Sequence, residues 1–406
     1  MRATGLALRH QRTAFLVASG ISTAGSFAGL TAKGWILMAG TGHPLLLAVH
    51  FGALALPSLL VSGPAGVVTD RLGCEPVLIR AQWALLACGG LAALAIPLLD
   101  GNGQVAVLLL SSLLAGVAST YELTARNKYT ALLVDSPDQL GGYLASFSVV
   151  FNVGKLLGPP LGGWLVAVAG PGLALAIDAA SFLMPIATLA WLLTPQLQRE
   201  QRSGSTVGTS LVAAWRGCGG DLRHVLRFTA LACGVSFFHP GLAPLIAARL
   251  VGPSPQALGW FTSVLAAGSL CGGVVLQRHS QWLAERPALL LGGSTTLTAL
   301  AQLGMAAAPN AGISLAMSFL IGMGTASLLA GANLIAQVGA PMELRGRMAG
   351  LGQIAFLGGG GLSGVLAALL VTAIGLPATF GLLGSGGLVL GLQELWRRRS
   401  LRIRSA

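Results

Sequence analysis

Charged residues are scarce in this sequence of 406 residues, because only 9% of them are Asp, Glu, Lys or Arg. The acidic residues number 12, whereas Lys and Arg together number 24. Soluble globular proteins carry about 25% charged residues, so this scarcity excludes a water-soluble protein of this length. The mean hydropathy of +0.77 and the hydrophobic fraction of 54% exclude it as well.

Patterns that carry enzymatic chemistry are also missing from the sequence. We find no phosphate-binding loop of the G-x-x-x-x-G-K type, no nucleophile elbow and no His or Cys residues at metal-ligand spacing. The five cysteines are not spaced as pairs. We therefore expect no enzymatic activity, no cofactor, no metal site and no disulfide.

What the sequence does contain is twelve apolar runs between residues 14 and 396. Each is close to or above the ~20 residues that cross a ~30 Å hydrocarbon core as a helix. Twenty-one of the 24 Lys and Arg residues lie before the first run, after the last, or in alternate gaps. Because Lys and Arg favour cytoplasmic loops, we expect both termini in the cytoplasm. The membrane that the helices cross is expected to be the plasma (inner) membrane. The dispersal of the Lys and Arg residues favours contact with anionic lipid and argues against nucleic acid.

The chain also contains an internal repeat. Pro137, Leu140 and Gly142 precede the fifth run, and Pro341, Leu344 and Gly346 precede the eleventh at the same spacing. This similarity predicts an all-α membrane protein made of two six-helix bundles in the same orientation. The expected divisions are an N-terminal bundle at 1–193, a cytoplasmic central loop at 194–226, a C-terminal bundle at 227–396 and a basic cytoplasmic tail at 397–406.

The loop between the second and third runs carries an acidic residue beside a basic one, Asp70 and Arg71, flanked by Gly66 and Gly73. A carboxylate at a helix end can accept hydrogen bonds from backbone N–H groups or form an ion pair with a residue of a neighbouring helix. A glycine permits the tight reversal of a short loop. The segment resembles the G-x-x-x-D-R-x-G signature of the major facilitator superfamily. The resemblance implies that these four residues secure a cytoplasmic gate, although the basic residues that usually follow are replaced by Cys74 and Glu75.

The fifth run contains a second motif, which fits G-x-x-x-G-P-x-x-G-G at every fixed position. Glycines give such a helix a smooth face, and prolines remove backbone donors and bend it. The motif resembles the one that marks the exporter and antiporter branch of the same superfamily, which includes bacterial enterobactin and multidrug exporters. It implies either a hinge and seal or simple close packing, at Gly154, Gly158, Pro159, Gly162 and Gly163.

Ionisable residues within apolar runs are costly and therefore functional candidates. For Lys33 we expect a contact with substrate or protons, or an ammonium that extends to the outer interface. Glu122 would titrate during transport or pair with Arg126. Lys155 is expected to tether neighbouring helices, and Asp178 is its nearest candidate partner in the next run, although the difference in depth of about 13 Å makes direct pairing doubtful.

The seventh run contains His239, Pro240 and Gly241 in succession. Proline and glycine together predict a break near the middle of this helix. The imidazole of His239 would either respond to pH or serve as a hydrogen-bond partner for the carbonyls that the break frees.

The sequence and the resemblance together predict a monomeric secondary transporter that exports a small drug-like or siderophore-like molecule, with proton antiport through alternating access. One alternative is a carrier of the same fold that moves a lysophospholipid or a metabolite by uniport or import. Another is a membrane scaffold or sensor without transport activity.

Overall fold

The computed structural model of the chain describes residues 8–134, 137–192, 215–216, 218–339 and 345–397. Within these ranges every regular element is a helix, which confirms the all-α prediction. The loop that contains Pro341 and Leu344, most of the central loop and the last nine residues of the basic tail lie outside the described residues.

The described residues form fifteen α-helices and one π-helical turn. The elements of the first half are α1 (Leu8–Thr41), α2 (Pro44–Ala55), α3 (Pro57–Leu72), α4 (Cys74–Leu98), α5 (Gly101–Leu132), α6 (Pro137–Ser181), α7 (Leu183–Ala187) and the π-helical turn Thr188–Leu192. Those of the second half are α8 (Gly220–Ser236), α9 (His239–Leu250), α10 (Pro255–Arg278), α11 (Ser280–Ala284), α12 (Pro287–Ala306), α13 (Ala311–Val338), α14 (Arg345–Ile374) and α15 (Leu376–Trp396).

Eleven segments of the described chain are long and apolar enough to cross a membrane. One of them, Ser146–Trp191, is 46 residues long, or about 69 Å as a helix, which is twice the hydrocarbon thickness. Its helix breaks at Gly170, whose φ of 84° lies in the region that only glycine adopts readily. This segment therefore supplies two crossings, and the segments together account for the twelve predicted runs.

Tight reversals elsewhere depend on glycine in the same way. Gly73 joins α3 to α4 with φ 92°, and Gly375 joins α14 to α15 with φ 82°. The backbone N–H of Gly73 donates to the carbonyl of Thr69 at 3.0 Å, which closes the end of α3. The tight turn predicted at Gly73 is therefore present.

The chain divides into two compact units. The first comprises the ranges 1–43, 49–203 and 254–263, and the second comprises 44–48, 204–253 and 264–406. The helix α10 thus begins in the first unit and continues in the second. The start of α8 at Gly220 also places residues 220–226, which we expected in the central loop, in a packed helix where Leu222, Val225 and Leu226 are buried.

Helices of the first unit approach each other closely where small residues meet. In α6, a Cβ on Gly158 would lie 2.6 Å from the carbonyl oxygen of Ala24 in α1. In α4, a Cβ on Gly89 would lie 3.0 Å from the Cβ of Ala179 in the second part of α6. Membrane helices gain dispersion contacts from such approach, because lipid gives them little hydrophobic reason to associate.

Helices of the second unit also approach each other closely at glycines. A Cβ on Gly272 of α10 would lie 2.5 Å from the carbonyl oxygen of Met323 in α13. A Cβ on Gly292 of α12 would lie 2.8 Å from the carbonyl oxygen of Gly391 in α15. A buried cluster around Phe228, Leu291 and Leu328 fills the space among α8, α12 and α13.

Candidate functional site: a charged cavity in the first unit

A cavity of about 600 Å³ lies within the first unit, and every residue that lines it belongs to that unit. Its apolar wall includes the rings of Phe27, Phe147, Phe151 and Phe182. Four of the charged or titratable residues in its lining are Lys33, Glu122, Arg126 and Asp178, which come from α1, α5 and α6. Apolar cavities of this size with few polar groups are typical of small-molecule sites.

Lys33 and Asp178 form one charged group in the cavity wall. Both side chains are buried, and an ammonium on Lys33 and a carboxylate on Asp178 would attract each other at these positions. A Cβ on Gly29, one turn before Lys33, would overlap the Asp178 carboxylate, so glycine lets α6 place this acid against α1. The Lys33 ammonium donates to the Ser111 hydroxyl of α5 at 3.2 Å. Lys33 therefore lies inside the protein, where its ammonium interacts with α5 and α6.

Lys155 is not brought to Asp178. It lies in the first part of α6, is half-buried, and makes neither a hydrogen bond nor an ion pair with any residue that the structure describes. This arrangement agrees with the difference in depth along the two helices, which made direct pairing doubtful. Asp178 has Lys33 as its electrostatic partner instead.

Glu122 forms the second charged group. Its carboxylate pairs with Arg126 one turn later at 3.2 Å, which is the local pairing considered from the sequence. The side-chain amide of Gln82 in α4 also donates to the same carboxylate oxygen at 3.4 Å. Glu122 and Arg126 both line the cavity, so the Glu122 carboxylate can contact a molecule bound there.

His50 is a cavity residue that the sequence analysis missed. It lies in α2, is buried, and places its Nδ1 3.0 Å from the Ser112 hydroxyl of α5. The charge of Lys33 acts on this imidazole as well. A single histidine within an apolar run is weak evidence of a functional site in a sequence. The free-energy cost of burying its polar ring is nevertheless a reason to consider it.

The predicted gate residues lie at the end of α3. Asp70 pairs with Lys128 of α5, and both side chains are largely exposed, at 65% and 42%. Arg71 is exposed, and a Cβ on Gly66 would meet nothing within 4 Å. The buried Tyr129 of α5 donates to Glu75 at 3.3 Å, so the acid that replaces a usual basic residue makes a contact of its own between α4 and α5.

The glycines of the fifth-run motif face α1. A Cβ on Gly154 would lie 2.9 Å from Cγ2 of Thr23, and one on Gly162 would lie 2.5 Å from the carbonyl oxygen of Ala28. The helix continues through Pro159 and Pro160, and its only non-helical residue in the described chain is Gly170. The motif is thus a close-packed seam with α1.

The same motif contacts the start of α10 within the first unit. A Cβ on Gly163 would overlap the carbonyl of Pro255, and one on Gly259 would lie 2.7 Å from the carbonyl oxygen of Pro159. The Ser263 hydroxyl donates to the carbonyl of Leu156 at 2.6 Å. This second seam was not predicted from the sequence.

His239 belongs to the second unit and is not part of the cavity. The helix breaks just before it, at Phe237 and Phe238, so the predicted break is present. The carbonyls of Val235 and Ser236 accept from the side-chain amide of Gln302 in α12, at 3.4 Å and 3.3 Å.

Gln302 therefore takes the role that we considered for His239. The imidazole lies 3.3 Å from the Gln302 amide and stacks on Phe238 with a centroid distance of 4.4 Å. His239 is buried, and it contributes to the packing around the break.

A chain of membrane-length helices with a charged cavity in its first unit is typical of a membrane transporter. The chain belongs to the Major Facilitator Superfamily, whose family model matches residues 15–364. This confirms the resemblance seen in the two motifs.

Curated relatives of the chain are exporters. It is 27% identical over 398 residues to the multidrug efflux pump Tap of Mycolicibacterium fortuitum, with 93% of each chain covered. It is 24% identical over 388 residues to the multidrug efflux pump Tap of Mycobacterium tuberculosis, with 90% of this chain and 89% of that protein covered.

Solved structures show the same fold. The nucleoside transporter NupG matches with a TM-score of 0.72 at 12% identity, over 95% of this chain and 98% of that one. A POT family transporter in complex with 5-aminolevulinic acid matches with a TM-score of 0.73 at 14% identity, over 95% of each chain.

Proposed function

We propose that this protein exports small amphiphilic organic molecules across the plasma (inner) membrane in exchange for protons. The observation that carries the proposal is the cavity of about 600 Å³, which combines aromatic walls with one buried and one partly buried group of charged residues. Its size suits a drug-sized molecule. The similarity to multidrug efflux pumps supports export as the direction.

Proton coupling is proposed because two carboxylates, Glu122 and Asp178, line the same cavity within the membrane-spanning part of the chain. Carboxylates in such places occur in proton relays of pumps and transporters. Each is balanced by a cation, Arg126 or Lys33, so a change of protonation alters an existing charge balance. Competition between protons and cargo for these groups would link the two flows.

Alternating access is proposed to follow from two six-helix bundles, expected at 1–193 and 227–396, joined by a cytoplasmic loop that ends where α8 begins at Gly220. Both termini, including the basic tail 397–406, are placed in the cytoplasm, and the working unit is the monomer. Asp70 and Lys128, with Arg71 nearby, would hold the cytoplasmic side closed. The seam at Gly154, Gly158 and Gly162 would let α6 and α1 shift against each other.

Everted membrane vesicles test this proposal directly. Export in the cell becomes uptake in these vesicles, so an inward-acid pH gradient should drive the accumulation of ethidium only when the protein is present. A protonophore should abolish the accumulation. Accumulation that persists without a gradient would contradict proton antiport, and its absence under all conditions would contradict the export of such molecules.

A further inference from the structure

The second unit contains a buried carboxylate that lies apart from the cavity. Glu394 belongs to the last turn of α15, and only 4% of its side chain is exposed. The carbonyl groups at the C-terminus of a helix carry partial negative charge, so a carboxylate is unfavourable there unless donors or cations surround it. An unpaired buried charge is costly as well. The partners of Glu394 therefore determine what this position can do.

The first partner is His224 of α8. Its Nε2 lies 3.0 Å from Oε1 and 2.9 Å from Oε2 of Glu394. The nitrogen that faces both oxygens must be the donor, because an ionised carboxylate can only accept. The hydrogen-bond network thus assigns a hydrogen to Nε2 of His224. The side chain of His224 is 26% exposed, so protons from the solvent can reach it.

The second partner is Arg397, the first residue of the basic tail. Its backbone N–H donates to the carbonyl of Glu394 at 3.2 Å, which closes the end of α15. Its guanidinium lies 3.9 Å from Oε2 of Glu394, and its Nη1 lies 2.5 Å from Nδ1 and 2.6 Å from Nε2 of His224. A guanidinium has only donors, and Nε2 already gives its hydrogen to Glu394. The acceptor for Arg397 is therefore Nδ1 of His224.

This arrangement fits only the neutral form of His224. In a neutral imidazole, Nε2 donates to Glu394 while Nδ1 accepts from Arg397. Protonation places a second hydrogen on Nδ1, so that two cationic donors would face each other at 2.5 Å. The imidazolium keeps Glu394, since its hydrogen bond to the carboxylate becomes charge-assisted. Arg397 is the partner that must leave.

The surrounding helices carry few other charges. Besides His224 and Glu394, the charged residues on α8 and on α12 to α15, which pack against it, are Asp221, Arg223, Arg227, Arg345 and Arg347. Asp and Arg side chains ordinarily keep their charge between about pH 5 and pH 8, whereas this is the range in which histidine changes its charge. A response of the contact within this range therefore belongs to His224.

We propose that His224 forms a pH-sensitive contact that releases the basic tail when the compartment around the tail becomes acidic. That compartment is the cytoplasm in the proposed topology. At higher pH the uncharged imidazole holds Arg397 against α8, and as the pH falls the imidazolium keeps Glu394 and repels Arg397. The contact is thus present at high pH and lost at low pH. It goes beyond the proposed export function and does not depend on it.

A spin label on the tail tests this proposal. Ser400→Cys, three residues after Arg397, would be labelled in the full-length protein in detergent, and its EPR line shape would report the mobility of the tail. Four native cysteines are buried, and the protein without Ser400→Cys gives the background signal. We expect the ratio of mobile to immobile label to rise roughly threefold to fivefold from about pH 8 to about pH 5.5, because the repulsion at an exposed contact is modest.

Variants of the contact separate its two states. In His224→Gln the amide N–H can donate to Glu394 and the amide oxygen can accept from Arg397 at either pH, so mobility should stay low. His224→Lys has donors only, so mobility should stay high. Arg397→Ala removes the guanidinium from a largely exposed position and should also give high mobility at both pH values. His279→Gln, at an exposed histidine, is the matched control and should respond to pH as the wild-type protein does.

Three outcomes would overturn the proposal. One is a label whose mobility is the same at both pH values in the otherwise wild-type protein. Another is a pH response that persists unchanged in His224→Gln, since it would belong to a different group. The third is low mobility in Arg397→Ala, a variant that leaves the buried Glu394 and its partner His224 in place and so keeps the test decisive if His224→Lys fails to fold. The readout involves no cargo, so it is independent of whether the protein exports the proposed molecules.

Discussion

The carboxylate of Asp178 lies against Gly29, one helical turn before Lys33, and the charges of the two residues attract each other across the wall of the cavity. Neutralising either residue leaves a buried charge without its counterion, which is more costly than removing both. Lys33→Met and Asp178→Asn should each lower the melting temperature of the purified protein in detergent. The double variant should recover part of the loss, with a coupling energy on the order of 1–3 kcal/mol. Strictly additive losses would show that the two charges do not interact.

Glu122 should matter for transport more than for folding. Its replacement by Gln keeps a polar side chain beside Arg126 and Gln82 but removes the group that would exchange a proton. We expect proton-driven ethidium uptake into everted vesicles to fall by roughly tenfold or more at an unchanged protein level. Asp100→Asn, at an exposed position outside the cavity, should transport normally. Normal uptake by Glu122→Gln would remove Glu122 from the coupling mechanism.

The seam between α6 and α1 should tolerate no additional carbon atom at Gly162. Its Cβ would lie 2.5 Å from the carbonyl oxygen of Ala28, and a backbone atom cannot move aside cheaply. Gly162→Ala should destabilise the protein by about 1–3 kcal/mol, measured as a lower melting temperature. Gly90→Ala is the matched control, because a Cβ there meets nothing within 4 Å. Equal melting temperatures for the two variants would contradict the packing described.

Gln302 should be a structural residue of the second unit. Its amide donates to the carbonyls of Val235 and Ser236 at the helix break, and it is fully buried. Gln302→Leu leaves both carbonyls unpaired and should cost about 2 kcal/mol of stability. The exposed Gln281→Leu should have little effect on thermal unfolding. A melting temperature unchanged by Gln302→Leu would mean that these carbonyls find other donors.

The ion pair between Asp70 and Lys128 should affect transport without much effect on stability. Both side chains are largely exposed, and exposed pairs contribute only about 0–1 kcal/mol. We expect Asp70→Lys to reduce efflux through repulsion from Lys128, and the exchanged pair Asp70→Lys with Lys128→Asp to restore part of it. Efflux rates at equal expression would measure this. Failure of the exchanged pair to improve on the single variant would exclude a simple charge contact.

Much of the fold was predictable, because the bilayer imposes a length on every apolar run. The turn at Gly73 and the break before His239 were also predictable, since glycine and proline have strong local effects on the backbone. The start of α8 at Gly220 lies inside the segment expected as the central loop, 194–226. Burial of Leu222 and Val225 stabilises a helix there instead.

The site was less predictable, since its partners come from helices that are distant in the sequence. Lys155 was the nearest candidate partner of Asp178 in the sequence, with direct pairing doubtful because of depth, and packing of α6 on α1 at Gly29 brings Lys33 to Asp178. Which face of a helix points inward depends on such packing, and it cannot be deduced from the lengths of the loops. His50 was missed for the same reason, because Ser112 becomes its partner only when α2 and α5 pack together.

All residues that line the cavity belong to the first unit, which is encoded mainly by the first half of the gene. If the cavity binds the proposed cargo, substitutions that change cargo preference should accumulate in the first half of the coding sequence. A hybrid gene that joins this first half to the second half of a relative would therefore inherit its selectivity from the 5′ parent.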